Sequence, residues 1–236
     1  MSQFRASQLT RRVFLAGLPL TLGACVSAGR SAQPELAAAN VVDPFYVSMY
    51  GAIHDEPFPV PAIDVSEIDP QFLRQEVAFA GPEEPGRIVV DPARRFLYLV
   101  RENGRALRYG CGVGQAGFDY EGDAVIARKA EWPRWTPTQN MIRREPERYG
   151  PYAGGMAGGL DNPLGARALY LYKDGRDTLY RIHGTNEPWS IGRSVSSGCI
   201  RLFNQDIIDL HRRVPIGTEV TVLTHGATHR TREVMS

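Results

Sequence analysis

The sequence predicts a mostly β domain, sandwich- or barrel-like, of about seven or more strands with one or two short helices. Three observations carry that reading. From Arg87 onward, short runs of aliphatic, aromatic and β-branched residues recur between turn signals. Asn103-Gly104 and Asp174-Gly175 sit between such runs, and these dipeptides suit two-residue hairpin turns, in which both positions need positive φ. Only one segment shows clear helical spacing.

Taken in order, Arg87 to Asp91 and Arg95 to Arg101 are the first strand-like runs. Phe96-Leu97-Tyr98-Leu99-Val100 is apolar at every position, as expected of an interior strand buried on both faces. Arg105 to Cys111 completes a hairpin about Asn103-Gly104, and Ala124 to Ala130 is a further strand. Ala168 to Lys173 and Thr178 to His183 form the second hairpin, and Glu219 to Thr224 is the last strand. The helix opens at Asn204, a good N-cap, repeats apolar contacts at Ile207, Leu210, His211 and Val214, and stops at Pro215 and Gly217. A weaker helix is expected from Gln139 to Glu147. Upstream, residues 26–86 read as a linker followed by a Pro-rich segment that wraps the domain, with one short helix around Gln71 to Val77. The β domain itself spans 87–225 and a tail follows at 226–236.

Composition narrows the function. The 236 residues carry 27 Lys+Arg and 26 Asp+Glu, net +1, with 43% hydrophobic and 22% charged residues. These are globular values, which exclude bulk disorder, and the absent basic surplus argues against nucleic-acid binding. Residues 1–25 read as an export signal, with a basic n-region and a short apolar h-region, too short to span a bilayer. Thr10-Arg11-Arg12-Val13-Phe14-Leu15 resembles a twin-arginine export motif, and Leu22-Gly23-Ala24-Cys25 resembles a lipobox, which implies lipidation of Cys25. The expected location is the periplasm, on a lipid anchor that rests on the membrane without crossing it. Val26, with no Asp beside the lipidated Cys, favours the outer membrane. Without residues 1–25, which hold three Arg and no acid, 24 basic and 26 acidic residues remain, net −2.

Two motif readings are set aside. Gly112-Val113-Gly114-Gln115-Ala116-Gly117 fits G-x-G-x-x-G, but turn-like residues and then a strand follow it where a dinucleotide site needs a helix. These glycines are expected to serve a tight loop or a close backbone approach near the site. His54, His211, His225 and His229 lack ligand-like spacing, and no C-x-x-C or H-E-x-x-H occurs, so no metal is expected.

The chemistry concentrates in His183-Gly184-Thr185-Asn186-Glu187-Pro188-Trp189-Ser190-Ile191-Gly192 and Ser196-Ser197-Gly198-Cys199-Ile200-Arg201-Leu202. A cysteine attacks an acyl carbon as thiolate and needs a base or cation nearby. His183 ends a strand sixteen positions before Cys199, and the Gly- and Ser-rich loop between them can fold back to join imidazole and thiol. Arg201 lies two positions on, suited to raising the local potential, binding a carboxylate or serving as an ion-pair partner. Gly198 leaves room for substrate, and backbone N–H groups near Cys199 are candidate oxyanion donors. Cys111 and Cys199 leave a reversible disulfide open as an alternative.

The ordered pattern H-G-T-N, S-I-G, S-S-G-C-I-R-L resembles the catalytic signature of the L,D-transpeptidase (YkuD-type) family, as do Pro133-Arg134-Trp135-Thr136-Pro137 and Asn162-Pro163-Leu164-Gly165-Ala166. The resemblance covers roughly Arg87 to Thr224 and departs where many members have His before Gly-Cys and this chain has Ser197. It implies a β-rich catalytic domain that acts on peptidoglycan tetrapeptide stems. The acyl group would pass to Cys, releasing terminal D-Ala, and then to an amine: a second stem, a D-amino acid or an outer-membrane protein. It implies Cys199 as nucleophile, His183 as base, the Gly184 carbonyl as the group orienting the imidazole, and Ser196, Ser197, Gly198, Asn186 and Arg201 around the substrate. No cofactor is implied. Trp132 and Trp135 are candidate lid residues, with ordinary packing as the alternative. Hydrolysis of the same acyl-enzyme, or a silent peptidoglycan-binding lipoprotein, are the competing functions.

Overall fold

The computed structural model describes residues 43–114, 120–195 and 199–224. Among them, eleven strands form one sheet: β1 (Gln75–Ala78), β2 (Ile88–Asp91), β3 (Phe96–Arg101), β4 (Arg105–Gly110), β5 (Gly112–Gly114), β6 (Gly122–Glu131), β7 (Arg167–Lys173), β8 (Arg176–His183), β9 (Ser194–Val195), β10 (Ile200–Arg201) and β11 (Glu219–Val222). The order across the sheet is β1-β4-β3-β2-β11-β6-β7-β8-β10-β5-β9. The mostly β class predicted from the hairpin signals is the one observed.

Both predicted hairpins form for the predicted reason. Asn103 and Gly104 have φ of 61° and 64°, and Asp174 and Gly175 have 51° and 74°, so each turn occupies the left-handed region that the dipeptides tolerate. Apolar β3 is interior, flanked by β4 and β2. Not every neighbour is antiparallel. Pairs β2·β11, β8·β10 and β5·β9 run parallel.

The sheet curls because one run of chain serves both halves. β4 and β5 are separated only by Cys111, yet β4 pairs with β3 while β5 pairs with β10. Glycines flank the crossing. A Cβ on Gly110 would collide with the backbone of Phe72, and one on Gly112 with the Ser190 carbonyl. The curl encloses a core drawn from both halves, including Leu97, Ile126, Leu169, Ile182, Ile200 and Val220, all fully buried.

Helix α4 (Asn204–Arg213) closes this core with Ile207 and Leu210. Its start corrects the cap expectation. The N-cap position is Phe203, without a side-chain cap bond, and the Asn204 amide is committed elsewhere. The Gln139–Glu147 helix is instead two short pieces, α2 (Gln139–Arg144) and α3 (Pro146–Tyr149), because proline disfavours the helical region in the residue before it. No helix forms over Gln71 to Val77. A 3₁₀ turn at Pro70–Phe72 leads into β1, which pairs with β4.

The Pro-rich segment is bound into the domain. Helix α1 (Pro44–Met49) leads to Tyr50, which is fully buried. The Tyr50 hydroxyl donates to Asp206 of α4 at 3.0 Å and accepts from the Arg74 amide at 2.6 Å. Burial, with Asp206 beside it, pushes the Tyr50 pKa up, so the hydroxyl keeps its proton for that bond.

Candidate active site

Two adjacent rows of side chains cross the sheet where the chemistry-bearing residues meet. One row runs Ala130, Ala168, His183, Arg201, Gly112 over β6, β7, β8, β10 and β5. Small alanines on one side and glycine on the other leave room for the imidazole and the guanidinium between them. The neighbouring row runs Arg128, Tyr170, Arg181 and then the position of Cys199, because Ile182 faces Ile200 in the parallel β8·β10 pair. Cys199 is further held by the Gly114 amide, which donates to its carbonyl at 3.0 Å. The parallel register is thus what brings residues sixteen apart in sequence onto neighbouring strands.

His183 is buried, and its Nδ1 lies 2.6 Å from the Gly184 carbonyl oxygen. A carbonyl can only accept, so Nδ1 carries the proton and Nε2 the lone pair. Burial, reinforced by the Arg201 charge, pushes His183 down to about 3, against partial support from the Gly184 and Pro163 carbonyls. Cys199 is also buried, with Sγ 3.7 Å from the Leu179 carbonyl. Burial raises its thiol pKa, opposed by the Arg181 amide and by the charges of Arg181 and Arg201. Both shifts disfavour the charged forms of the two groups, the imidazolium and the thiolate.

Arg201 is buried and ion-paired to Glu187 at 2.6 Å. Glu187 also approaches Arg148 of α3 at 3.7 Å, and its amide donates to Thr185 Oγ1 at 2.9 Å. Of the roles open to Arg201, the structure shows the ion-pair partner. Asn186 is exposed, its Nδ2 donating to the Asp161 carbonyl at 2.9 Å. Trp132 is not a lid. Its Nε1 donates to Glu56 at 2.9 Å, and its ring packs against Phe58 and a cluster holding Val60, Ala166 and Ile208. Trp135 sits among Tyr149 and Tyr152 on the 133–160 excursion, which reaches the site through the Arg148–Glu187 pair. Ser196, Ser197, Gly198 and Cys25 lie outside the described residues. The described residues contain no group of side chains arranged to hold a metal ion. Cys111 and Cys199 are both free thiols. The β5·β10 register carries Cys111 to the level of Leu202, three residues from Cys199 or about 10 Å along a strand, beyond the reach of a disulfide.

The sequence profile of the YkuD L,D-transpeptidase catalytic domain matches residues 85–222, running from just before β2 to the end of β11. The chain belongs to the YkuD family. Among curated relatives of this YkuD chain, the probable L,D-transpeptidase ErfK/SrfK of Escherichia coli (strain K12) is 41% identical over 139 residues, which cover 58% of this chain and 43% of that protein. The putative L,D-transpeptidase YkuD of Bacillus subtilis (strain 168) is 53% identical over 60 residues, 25% of this chain and 34% of the relative. The chain spans about half the length, or less, of the curated relatives it matches. A solved protein described as a probable carnitine operon oxidoreductase from Brucella melitensis is 52% identical, covering 68% of this chain and 99% of that one, with a TM-score of 0.47. Gly112–Gly114 form β5, and Gly112 makes the close backbone approach expected of it.

One residue of the YkuD site escaped the sequence reading. Asn204 Oδ1 accepts from the Ala166 amide and its Nδ2 donates to the Thr185 carbonyl, each at 3.0 Å. Gly165 and Gly184 leave no space for a Cβ against that amide. Asn204 thereby fastens the Thr185-Asn186 peptide, next along the chain from the Gly184 carbonyl that orients His183. Its appearance at a helix start suggested capping, and nothing local pointed to this use. Asn204→Ala should leave an amide and a carbonyl unpaired and lower stability by about 1–3 kcal/mol. It should also slow acylation by roughly 10- to 100-fold as the imidazole loses its fixed orientation. A urea melt and the rate of covalent labelling by a carbapenem, read by intact mass, check the two effects separately.

Proposed function

We propose that this chain is a cysteine-dependent L,D-transpeptidase acting on peptidoglycan tetrapeptide stems. The observation that supports it most directly is the strand-neighbour placement of Cys199 and His183, with Nδ1 held by the Gly184 carbonyl and Nε2 left as base. As Cys199 Sγ attacks the carbonyl between the third residue and terminal D-Ala, Nε2 takes the thiol proton. Collapse of the adduct breaks the C–N bond, and the proton passes to the departing D-Ala amine, leaving a thioester. An acceptor amine then attacks the thioester carbonyl, gives a proton to Nε2 and restores the thiol when sulfur leaves. Arg201, neutralised by Glu187, keeps the wall of the site polar without an unpaired buried charge.

The reading extends to place and partners. The signal-like residues 1–25 and Leu22-Gly23-Ala24-Cys25 support export to the periplasm on a lipid anchor, and the acceptor amine is a second stem, a D-amino acid or an outer-membrane protein.

Incubating the protein with disaccharide-tetrapeptide and reading products by mass spectrometry tests this. A cross-linked dimer lacking one D-Ala, absent with Cys199→Ala, is the expected product. Tripeptide alone would replace transpeptidation with hydrolysis of the same thioester. No Cys199-dependent product from any of the three acceptors would leave a silent binding protein.

A further inference from the structure

Strand β8 carries an irregularity beside the nucleophile that the acyl-transfer steps leave unused. Leu171 and Tyr172 are neighbours on β7, yet their partners across the ladder are Tyr180 and Asp177. Thr178 and Leu179 are therefore extra residues, a bulge in β8. Leu179 has a φ of 62°, in the left-handed region, where a bulky residue is an outlier. Its side chain is 69% exposed, so packing of that side chain does not account for the conformation. Backbone held in this way points to a use for the backbone itself.

The bulge is pinned from both sides. The Thr178 hydroxyl donates to the Leu171 carbonyl at 2.6 Å and accepts from the Tyr180 amide at 3.1 Å, bridging two residues that face each other across the ladder. The Asp177 carboxylate accepts from the Leu179 amide at 2.8 Å and from both terminal nitrogens of Arg181, at 2.9 and 3.0 Å. Between these ties the Leu179 carbonyl is left to accept from Cys199 Sγ, 3.7 Å away. The Arg181 amide, two residues on, donates to the same sulfur. Such an acceptor and donor on one strand edge ordinarily meet the backbone of a neighbouring strand. Here they meet a side chain, one residue before Ile200 pairs with Ile182.

We propose that the Thr178-Leu179 bulge is a seat for the nucleophile, in which the Leu179 carbonyl holds the Cys199 S–H proton and fixes the direction of the sulfur before attack. This rests on the acyl-transfer reading of Cys199. It makes Thr178 a positioning residue, acting through the backbone that it braces, and gives the exposed Leu179 a role that belongs to its main chain. A carbonyl can only accept, so it holds the thiol and not the thiolate. On attack the S–H bond breaks, the proton leaves Leu179 for His183 Nε2, and the Arg181 N–H remains to meet the charge that forms on sulfur.

The test reads the thiol directly. The S–H stretching band of Cys199 is isolated as the infrared difference between the full chain and its Cys199→Ala variant. It should lie at lower frequency than the band of a thiol in apolar solvent, because a hydrogen bond weakens S–H. Thr178→Val, which removes the hydroxyl at nearly constant shape, should move the band up toward the free position and slow acylation by a carbapenem about 10- to 100-fold. Thr178→Ser, which keeps the hydroxyl, should restore both. A parent band at the free-thiol frequency overturns the seat, and that measurement needs no variant of the bulge to fold. An unmoved band in Thr178→Val, or an equal loss of rate in Thr178→Val and Thr178→Ser, also overturns it. A shifted band in a parent protein that takes up no carbapenem would support the seat and overturn the acyl-transfer reading.

Discussion

Cys199→Ala is expected to abolish covalent capture of acyl donors and to lower turnover by at least about 10⁴-fold, since losing a nucleophile removes the acyl-enzyme route entirely. The side chain is small and sits at the rim of the core, next to Ile200 and Leu202, so the same change should move the melting midpoint little. Intact-mass analysis with a carbapenem, whose strained lactam stands in for the donor amide, reads the first effect. Thermal melting reads the second. Adduct formation in Cys199→Ala would place the nucleophile elsewhere, and Cys111 is the other thiol among the described residues. Cys111 is a poor substitute: it is fully buried, and burial with Asp91 nearby pushes its thiol pKa up.

His183 should show its role in the pH dependence as much as in the size of its effect. His183→Ala should slow acylation by about 10²- to 10⁴-fold, the ordinary contribution of a positioned base. In the parent protein, burial holds the imidazole near 3, well below the usual 6.5. The base is therefore already deprotonated throughout the neutral range, and acylation should show no acid limb around pH 6.5 as pH is lowered. The thiol pKa is shifted the other way, above its usual 9.0, so the thiolate fraction should stay low until alkaline pH. Alkylation of Cys199 by iodoacetamide, followed from pH 5 to 10, should rise without a plateau below pH 9. A plateau near neutrality would mean a stored thiolate–imidazolium pair, and attack would then need no proton transfer to His183.

These two expectations draw on different levels of the molecule. The candidates for nucleophile and base, Cys199 and His183, were legible in the order of residues from His183 to Leu202. Their protonation states were not, because both follow from burial and from the charges of Arg181 and Arg201, which the chain brings up from β8 and β10. The fold divides in the same way. Asn103-Gly104 and Asp174-Gly175 announce hairpins because positive φ is a property of the dipeptide itself. β5, β9 and β10, of three, two and two residues, are too short to carry a period, and they exist only because neighbouring strands offer edges to pair with. Sequence left Trp132 open between lid and packing and read Asn204 as a cap, for a related reason. An aromatic in a Pro-rich loop and an asparagine before a helix each have a local use, and in both cases a distant partner took the side chain: Glu56 for one, Ala166 and Thr185 for the other.

By itself, then, the amino-acid order determined the β class, the two hairpins and the long helix, and marked Cys199 and His183 as the candidate nucleophile and base, because turn dihedrals, apolar spacing and the reactivity of a thiol are written within a few residues. Only the tertiary structure decided that the chain bends at Cys111 to close the sheet, that the parallel β8·β10 register sets His183 beside Arg201 with Cys199 next along the chain, and that Glu187 meets Arg201. Each of these is a contact between segments far apart in the chain, selected by which buried faces and edges fit one another.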